Sequence, residues 1–220
     1  MKGIVLINKP QGLTSHDVVQ RVRRQFNMRR VGHAGTLDPL ATGLLVLLLG
    51  ETTKCFNDFV NMGKAYKATF LLGVTTNSAD IQGEVTQRRP YDHITRKQVE
   101  EVLSRFQGEI EQIPPMVSAL KVKGKKLYTL ARQGLTVERS PRKIHIRCFQ
   151  LQEFNPPEVK FYVECSKGTY VRQLADDIGE ILGCGACVTQ IERTQIGAFT
   201  LQEAVRLEDL NESHIRHWEG

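Results

Sequence analysis

Apolar positions divide this chain into short runs with two different periods. Gly3 to Ile7 is apolar and β-branched and predicts a strand, closed by a turn at Lys9-Pro10-Gln11-Gly12. Ser15 can cap a helix that carries Val18, Val19, Val22 and Phe26 on one face. Residues 29–42 are glycine-rich, broken by Pro39, and read as a loop. Leu44 to Leu49 is continuously apolar, and the flanking Gly43 and Gly50 favour a fully buried strand there. A helix over Glu51 to Val60, a strand over Tyr66 to Leu72 and a polar loop over Gly73 to Gly83 follow. Thr95 with Gln98 three residues later is a capping-box pattern that opens a helix to Phe106.

Pro114-Pro115 interrupts the chain, and Leu127 to Gln133 predicts a short helix ended at Gly134. Ile144 to Phe154 and Val159 to Cys165 alternate like paired strands across Asn155-Pro156-Pro157. Ser166-Lys167-Gly168 turns into a helix from Thr169 to Leu182, ended by Gly183, and Val188 to Ile196 is a last strand. Strands outnumber helices and are irregularly spaced. The expected fold is therefore α+β, with a mixed, mostly antiparallel central sheet flanked by helices. Repeats, low-complexity tracts and long linkers are absent. The expectation is one domain over residues 1–220, with a basic excursion at about 121–143.

The composition, 40% hydrophobic and 25% charged over 220 residues, is that of an ordinary globular chain. Such a chain buries roughly 70% of its unfolded surface and needs no disulfides for its core. The run Leu44–Leu49 is far short of a membrane span, and the N-terminus lacks a signal-peptide core. Five cysteines without framework spacing point to a reducing compartment, so a cytoplasmic location is expected.

Charge changes this picture more through its distribution than through the total of +6. Between Lys121 and Arg147 stand Lys121, Lys123, Lys125, Lys126, Arg132, Arg139, Arg142, Lys143 and Arg147, opposed only by Glu138. That stretch carries +8, which leaves the remainder at −2 (six minus eight). A second cluster comprises Arg21, Arg23, Arg24, Arg29 and Arg30. Clustered positive charge is the footprint of a polyanion such as a phosphate backbone, although it also serves as a solvated face.

The most unusual segment is Gly32-His33-Ala34-Gly35-Thr36-Leu37-Asp38-Pro39-Leu40-Ala41-Thr42-Gly43. Glycines and a proline fix a loop that presents His33, Thr36, Asp38 and Thr42 from a rigid base. Asp38 precedes a proline and so belongs at a bend. From the residues alone it is either a structural aspartate bonded to its own turn or a reactive carboxylate. The pair Cys184 and Cys187, with His145 and Cys148, lacks standard zinc spacing, so no metal is expected. Phosphate-loop and G-x-S-x-G signatures are absent. Asp176, Asp177 and Glu180 read as an exposed acidic helix face.

The segment GHAGTLDPLATGLLVLLLG resembles the signature of the bacterial tRNA pseudouridine-55 synthase (TruB) family. Further motifs follow in the family's order. They are Leu6-Ile7-Asn8-Lys9-Pro10-Gln11-Gly12 with Thr14-Ser15, then Lys64-Ala65-Tyr66, and then Gln112 to Lys121 with Gly124-Lys125-Lys126-Leu127-Tyr128. Cys165-Ser166-Lys167-Gly168-Thr169-Tyr170-Val171-Arg172 completes the set, which covers about residues 2–200.

The resemblance implies isomerisation of a T-loop uridine of tRNA by base flipping, with no cofactor and no protein partner. It assigns Asp38 as nucleophile, Arg172 as its counter-ion, and Tyr66 as a ring that stacks on the base and takes the C5 proton. It makes His33 the side chain that fills the gap left by the flipped base. It has Lys9 and Pro10 supporting the catalytic loop, Ile191 lining the pocket wall, and Tyr170 contacting substrate. The basic excursion, with Lys125 and Lys126, would close over the T-arm. Full-length members usually carry an RNA-binding PUA domain after the catalytic one, and the residues after Thr200 are too few for it. Without the resemblance, Tyr66 reads equally as a core-edge strand residue and Arg172 as a surface arginine. A tRNA-binding helper without catalysis is the alternative function.

Overall fold

The computed structural model describes residues 1–118, 120–122, 124–131 and 133–218, and the side chains of Lys121 and Lys126 are likewise outside the description. The chain opens with β1 (Gly3–Lys9), α1 (Ser15–Gln25), β2 (Val31–Ala34) and β3 (Thr42–Leu49). A 3-10 helix (Gly50–Cys55) leads into α2 (Phe56–Val60), β4 (Lys64–Leu72), β5 (Val74–Thr76) and β6 (Val85–Arg88). Next come α3 (Arg96–Arg105), β7 (Gly108–Gln112), β8 (Lys121–Val122), β9 (Lys125–Lys126) and α4 (Leu127–Ala131). The remainder is β10 (Arg142–Asn155), β11 (Glu158–Cys165), α5 (Val171–Leu182), β12 (Ala186–Ile196), β13 (Phe199–Thr200) and β14 (Val205–Arg206). The central sheet is mixed and mostly antiparallel, as the strand-rich pattern implies.

Two compact units form, one from residues 1–67 and 190–220 and the other from residues 68–189. In the first, β3 pairs antiparallel with β1 and β2 and parallel with β12, while β14 runs parallel to β1. Leu44 to Leu49 are all 1% exposed or less, because this strand is covered on both faces. Each leucine so buried contributes about 2 kcal/mol of transfer free energy. Ile4, Leu6, Val46, Leu48 and Ile196 join Phe59 in one cluster, and Trp218 packs on Phe59 with ring centroids 4.5 Å apart. Val18, Val19 and Val22 are the buried stripe of α1.

In the second unit, β10 pairs antiparallel with β7 and with β11. Its core includes Phe70, Phe149 and Phe161, in tilted and edge-to-face contacts. The α3 helix begins at the expected capping box, in which the Thr95 side chain accepts the Gln98 N–H. The α5 helix ends at Gly183 in the left-handed conformation, at φ 81°.

Several boundaries differ from the sequence reading for identifiable reasons. The cap of α1 is Thr14, not Ser15. Thr14 and Asp17 form a reciprocal capping box, which leaves the Ser15 hydroxyl for another partner. The expected loop 29–42 contains β2, because residues 31–34 find a ladder on β3 that local pattern cannot reveal. The helix expected over 51–60 is split between the 3-10 turn and α2. Residues 73–83 include β5, which pairs with β6, and β7 was not expected because its exposed Glu109 and Glu111 dilute the apolar signal.

Gly43 tests the packing of β3 on β12. It sits at φ 97°, and a Cβ there would overlap the Arg193 carbonyl oxygen and lie 2.8 Å from the Arg193 nitrogen. The expected outcome of Gly43→Ala is a loss of about 2–4 kcal/mol from combined backbone strain and overpacking, read by denaturant unfolding. A loss within the ±0.5 kcal/mol typical of surface positions would contradict this packing.

Candidate active site

Asp38 lies in the loop between β2 and β3, whose backbone is bonded at several points. Its carbonyl accepts the Ala41 N–H at 3.1 Å, so residues 38–41 make a β-turn with Pro39 at the second position. The neighbouring Leu37, Leu40 and Ala41 are buried and anchor the loop, while Asp38 itself is half-buried. The Ser15 hydroxyl accepts the Leu37 N–H at 2.8 Å and donates to the Leu37 carbonyl at 3.1 Å. Gly12 donates its N–H to the Pro39 carbonyl at 2.8 Å. The turn after β1 and the first residue of α1 thus grip the loop on either side of Asp38.

Lys9 is fully buried at the end of β1. Its ammonium donates to the carbonyls of Pro10 at 2.9 Å and Leu13 at 2.7 Å, which fixes the turn carrying Pro10. Burial lowers the Lys9 pKa to about 8. The charge of Asp38 opposes that fall, Arg193 adds to it, and Asp17 opposes it further. His33 is on β2, opposite Leu47, rather than in a loop. Its Nδ1 is buried without a hydrogen-bond partner. Burial, then the nearby Arg193 and His16, lower its pKa, which favours the neutral ring.

Tyr66 is half-buried on β4. It hydrogen-bonds Arg193, a residue that sequence reasoning missed. Arg193 is 1% exposed, and its Nε donates to the Leu44 carbonyl at 2.7 Å and Nη2 to the Gly35 carbonyl at 3.0 Å. Burial lowers its pKa, and Tyr66 opposes that shift. A signal existed: Ile191 and Arg193 share one face of a strand by period-two alternation, and both are buried. An arginine on the apolar side of a strand calls for a polar partner.

In the second unit, Arg172 is not a surface residue. It is 4% exposed in the first turn of α5. Its guanidinium donates to the Ser78 carbonyl at 2.8 Å and the Val117 carbonyl at 2.7 Å, and lies 3.4 Å from the buried Asp80 carboxylate. Asp80, also missed, in turn accepts from the Ser78 hydroxyl and the Gln82 N–H. Tyr170 is half-buried just before α5. Its backbone is clamped by the Gln112 side chain, which accepts the Tyr170 N–H at 2.9 Å and donates to its carbonyl at 3.1 Å.

The basic excursion divides in two. Arg139 donates to the Pro114 carbonyl, Lys143 pairs with Glu109 at 2.9 Å, and Arg147 pairs with Glu164. These three are partly spent on the fold. Lys125 is exposed on β9 beside Lys126, whose side chain lies outside the described residues, as do Lys123 and Arg132. In the arginine cluster, Arg23 bonds the Val31 carbonyl and Arg30 pairs with Glu51. Among the described residues no three His, Cys, Asp or Glu side chains converge in a way that could hold a metal ion.

An aspartate on a backbone-held turn with a buried ammonium nearby, and a phenol tied to a buried guanidinium, suits nucleophilic and proton-transfer chemistry. Comparison with known proteins narrows the class. Residues 23–171 match the model of the TruB family pseudouridylate synthase N-terminal domain. Residues 172–219 match the tRNA pseudouridylate synthase B C-terminal domain. A protein of Syntrophotalea carbinolica named tRNA pseudouridine synthase B is 49% identical over 94% of this chain and 68% of its own length. One of Clostridium tetani with the same name is 44% identical over 99% of this chain and 75% of its own. Among solved structures, a chain of a Cbf5-Nop10-Gar1 complex superposes with a TM-score of 0.74 at 30% identity. That match covers 94% of this chain and 53% of the solved one, so this chain spans about half its length.

Lys9 supplies a pH test of the site. In the native chain it loses its proton near pH 8, whereas the unfolded chain keeps it to near 10.5. Over that window the unfolded state binds more protons, so this group makes stability rise with pH. The stability of wild type relative to Lys9→Met should therefore rise between about pH 8 and 10.5, by at most about 1.4 kcal/mol per unit. A pH-independent difference would show that Lys9 titrates as an ordinary lysine.

Proposed function

The chain belongs to the TruB family of pseudouridylate synthases, and from that premise we propose that it converts the uridine at position 55, in the T-loop of tRNA, by attack of the Asp38 carboxylate. It is an isomerase of tRNA uridine. The reaction breaks the bond between N1 of uracil and the ribose, turns the base and rejoins it through C5. Product and substrate have the same atoms, so no oxidant, reductant or energy donor enters. The observation that carries the assignment is the loop of residues 35–41, gripped through Leu37 and Pro39 with Asp38 between them. A nucleophile held by its backbone does not spend conformational freedom when substrate arrives.

In this reading the uridine flips out of the T-loop. The unstacking costs a few kcal/mol, and the His33 ring offsets part of it by filling the gap. Tyr66 stacks on the base and takes the C5 proton. Arg172 supplies the counter-charge to Asp38, a task that suits a planar guanidinium. Lys9 and Pro10 support the loop, Ile191 forms apolar wall, and Tyr170 contacts the substrate. Lys125 and Lys126 hold phosphates of the T-arm. The protein acts in the cytoplasm without a protein partner. All five cysteines are free thiols, and among the described residues no helix is long and apolar enough to cross a membrane.

Two experiments test this. With unmodified tRNA carrying tritium at C5 of uridine, Asp38→Asn should lower the rate of tritium release at least about 10³-fold and leave tRNA affinity nearly unchanged. Wild-type protein that binds this tRNA and releases no tritium would favour the RNA-binding helper instead. Reversing the charge of Lys125 and Lys126 together should weaken tRNA binding and flatten its salt dependence, by about 0.7 in the log–log slope for each phosphate no longer neutralised. An unchanged slope would remove these lysines from the interface.

A further inference from the structure

Arg193 is a full positive charge sealed inside the first unit, and burying such a charge is costly unless its surroundings compensate. Among the described residues no carboxylate forms an ion pair with it. A leucine or methionine would fill similar space without that penalty, so packing does not account for an arginine here. Its partners do. The guanidinium reaches the carbonyls of Gly35, before Asp38, and of Leu44, after it, with the Thr36 carbonyl 3.5 Å from Nη1. It therefore bridges both ends of the loop that carries Asp38. Gly35 suits the turn through its backbone: it adopts φ 88°, which L side chains rarely take up, while a Cβ there would meet Nη1 only in ordinary contact at 3.4 Å. The remaining partner is the Tyr66 side chain.

We propose that Arg193 is a positioning residue for the isomerisation, which joins the backbone of the Asp38 loop to the Tyr66 hydroxyl so that carboxylate and phenol are set as one unit. This inference rests on the roles given to Asp38 and Tyr66 above and adds a residue to which neither the family motifs nor the sequence reading assigned a part. The chemistry is specific to a guanidinium. Arginine only donates, so the phenol oxygen must accept from it, and the hydroxyl proton is turned away from Arg193. A guanidinium held against that oxygen also stabilises negative charge on it, which a proton acceptor for C5 requires. Lysine would keep the charge but could not span three carbonyls and a hydroxyl in one plane.

The test is a double-mutant cycle on single-turnover tritium release, with tRNA affinity and melting temperature measured on the same proteins. Arg193→Lys should slow the chemical step about 10- to 100-fold, with tRNA affinity changed less than about threefold. In a Tyr66→Phe background the same substitution should cost at least tenfold less, because the hydroxyl it acts through is gone. Equal costs in both backgrounds, or a loss traced to tRNA binding or to melting, would overturn the proposal. If Arg193→Lys does not fold, the wild-type guanidinium reports instead. Tyr66→Phe should shift the Arg193 Nη resonance in a ¹⁵N-arginine spectrum, and an unmoved resonance is the contrary result. Asp38→Asn, measured in parallel, separates the two claims. A dead Asp38→Asn with a multiplicative cycle sinks only the role of Arg193, whereas an active Asp38→Asn sinks the catalytic reading itself.

Discussion

The loop that carries Asp38 is held by its main chain. Ser15 grips Leu37 from both its N–H and its carbonyl, Gly12 bonds Pro39, and Arg193 takes the carbonyls of Gly35 and Leu44. Much of the first unit exists to put these partners in range. Strand β1 must end where Lys9 can fold back onto the Pro10 and Leu13 carbonyls. The α1 helix must take its cap from Thr14 so that Ser15 is spare. Strand β12 must run parallel beside Gly43 to bring Arg193 inside. The long apolar strand β3 supplies the buried wall against which all of this is assembled.

This arrangement separates two demands that conflict. A reactive carboxylate needs partial desolvation and a fixed direction, and its own side chain cannot provide both without losing access to substrate. In the role proposed for Asp38, the backbone bonds of the loop contribute to the fixing, and Asp38 is half-buried. The two buried cations near the loop are differently made. Lys9 is a point charge whose pKa burial drives down to about 8. Arg193 keeps a planar fork whose Nε, Nη1 and Nη2 each face a carbonyl oxygen. The second unit repeats the device with Arg172, which ties the carbonyls of Ser78 and Val117 to α5 and is balanced by Asp80.

The legible parts of the fold were those written in local pattern. The strand Leu44–Leu49, the Thr95–Gln98 box, the paired strands across Pro156-Pro157 and the Gly183 stop all depend on neighbours within a few residues. The bend at Asp38 was legible because Gly35 and Pro39 punctuate it, but its residues alone left Asp38 open between a turn aspartate and a reactive carboxylate, and only the resemblance gave it a role. What escaped was set by distant partners. Strand β2 exists because β3 is there to receive it, and β7 because β10 is. Ser15 looked like a cap because its bond to Leu37 spans 22 positions. Arg193 looked like any charged residue in an alternating strand until the carbonyl of Leu44, 149 positions away, gave it a partner. Trp218 likewise packs on Phe59 and Phe199, both distant from it in the chain, which no local pattern announces.

Clasped in this way, the Asp38 loop is rigid before RNA arrives. Amide hydrogen exchange in the RNA-free protein measures this most directly, at Gly12, Leu37 and Ala41, whose N–H groups are the donors in the clasp. All three should exchange slowly, with protection comparable to the amides of β3. Exchange as fast as that of an exposed loop would mean that the loop is ordered only by substrate, and the backbone clasp would no longer explain the site.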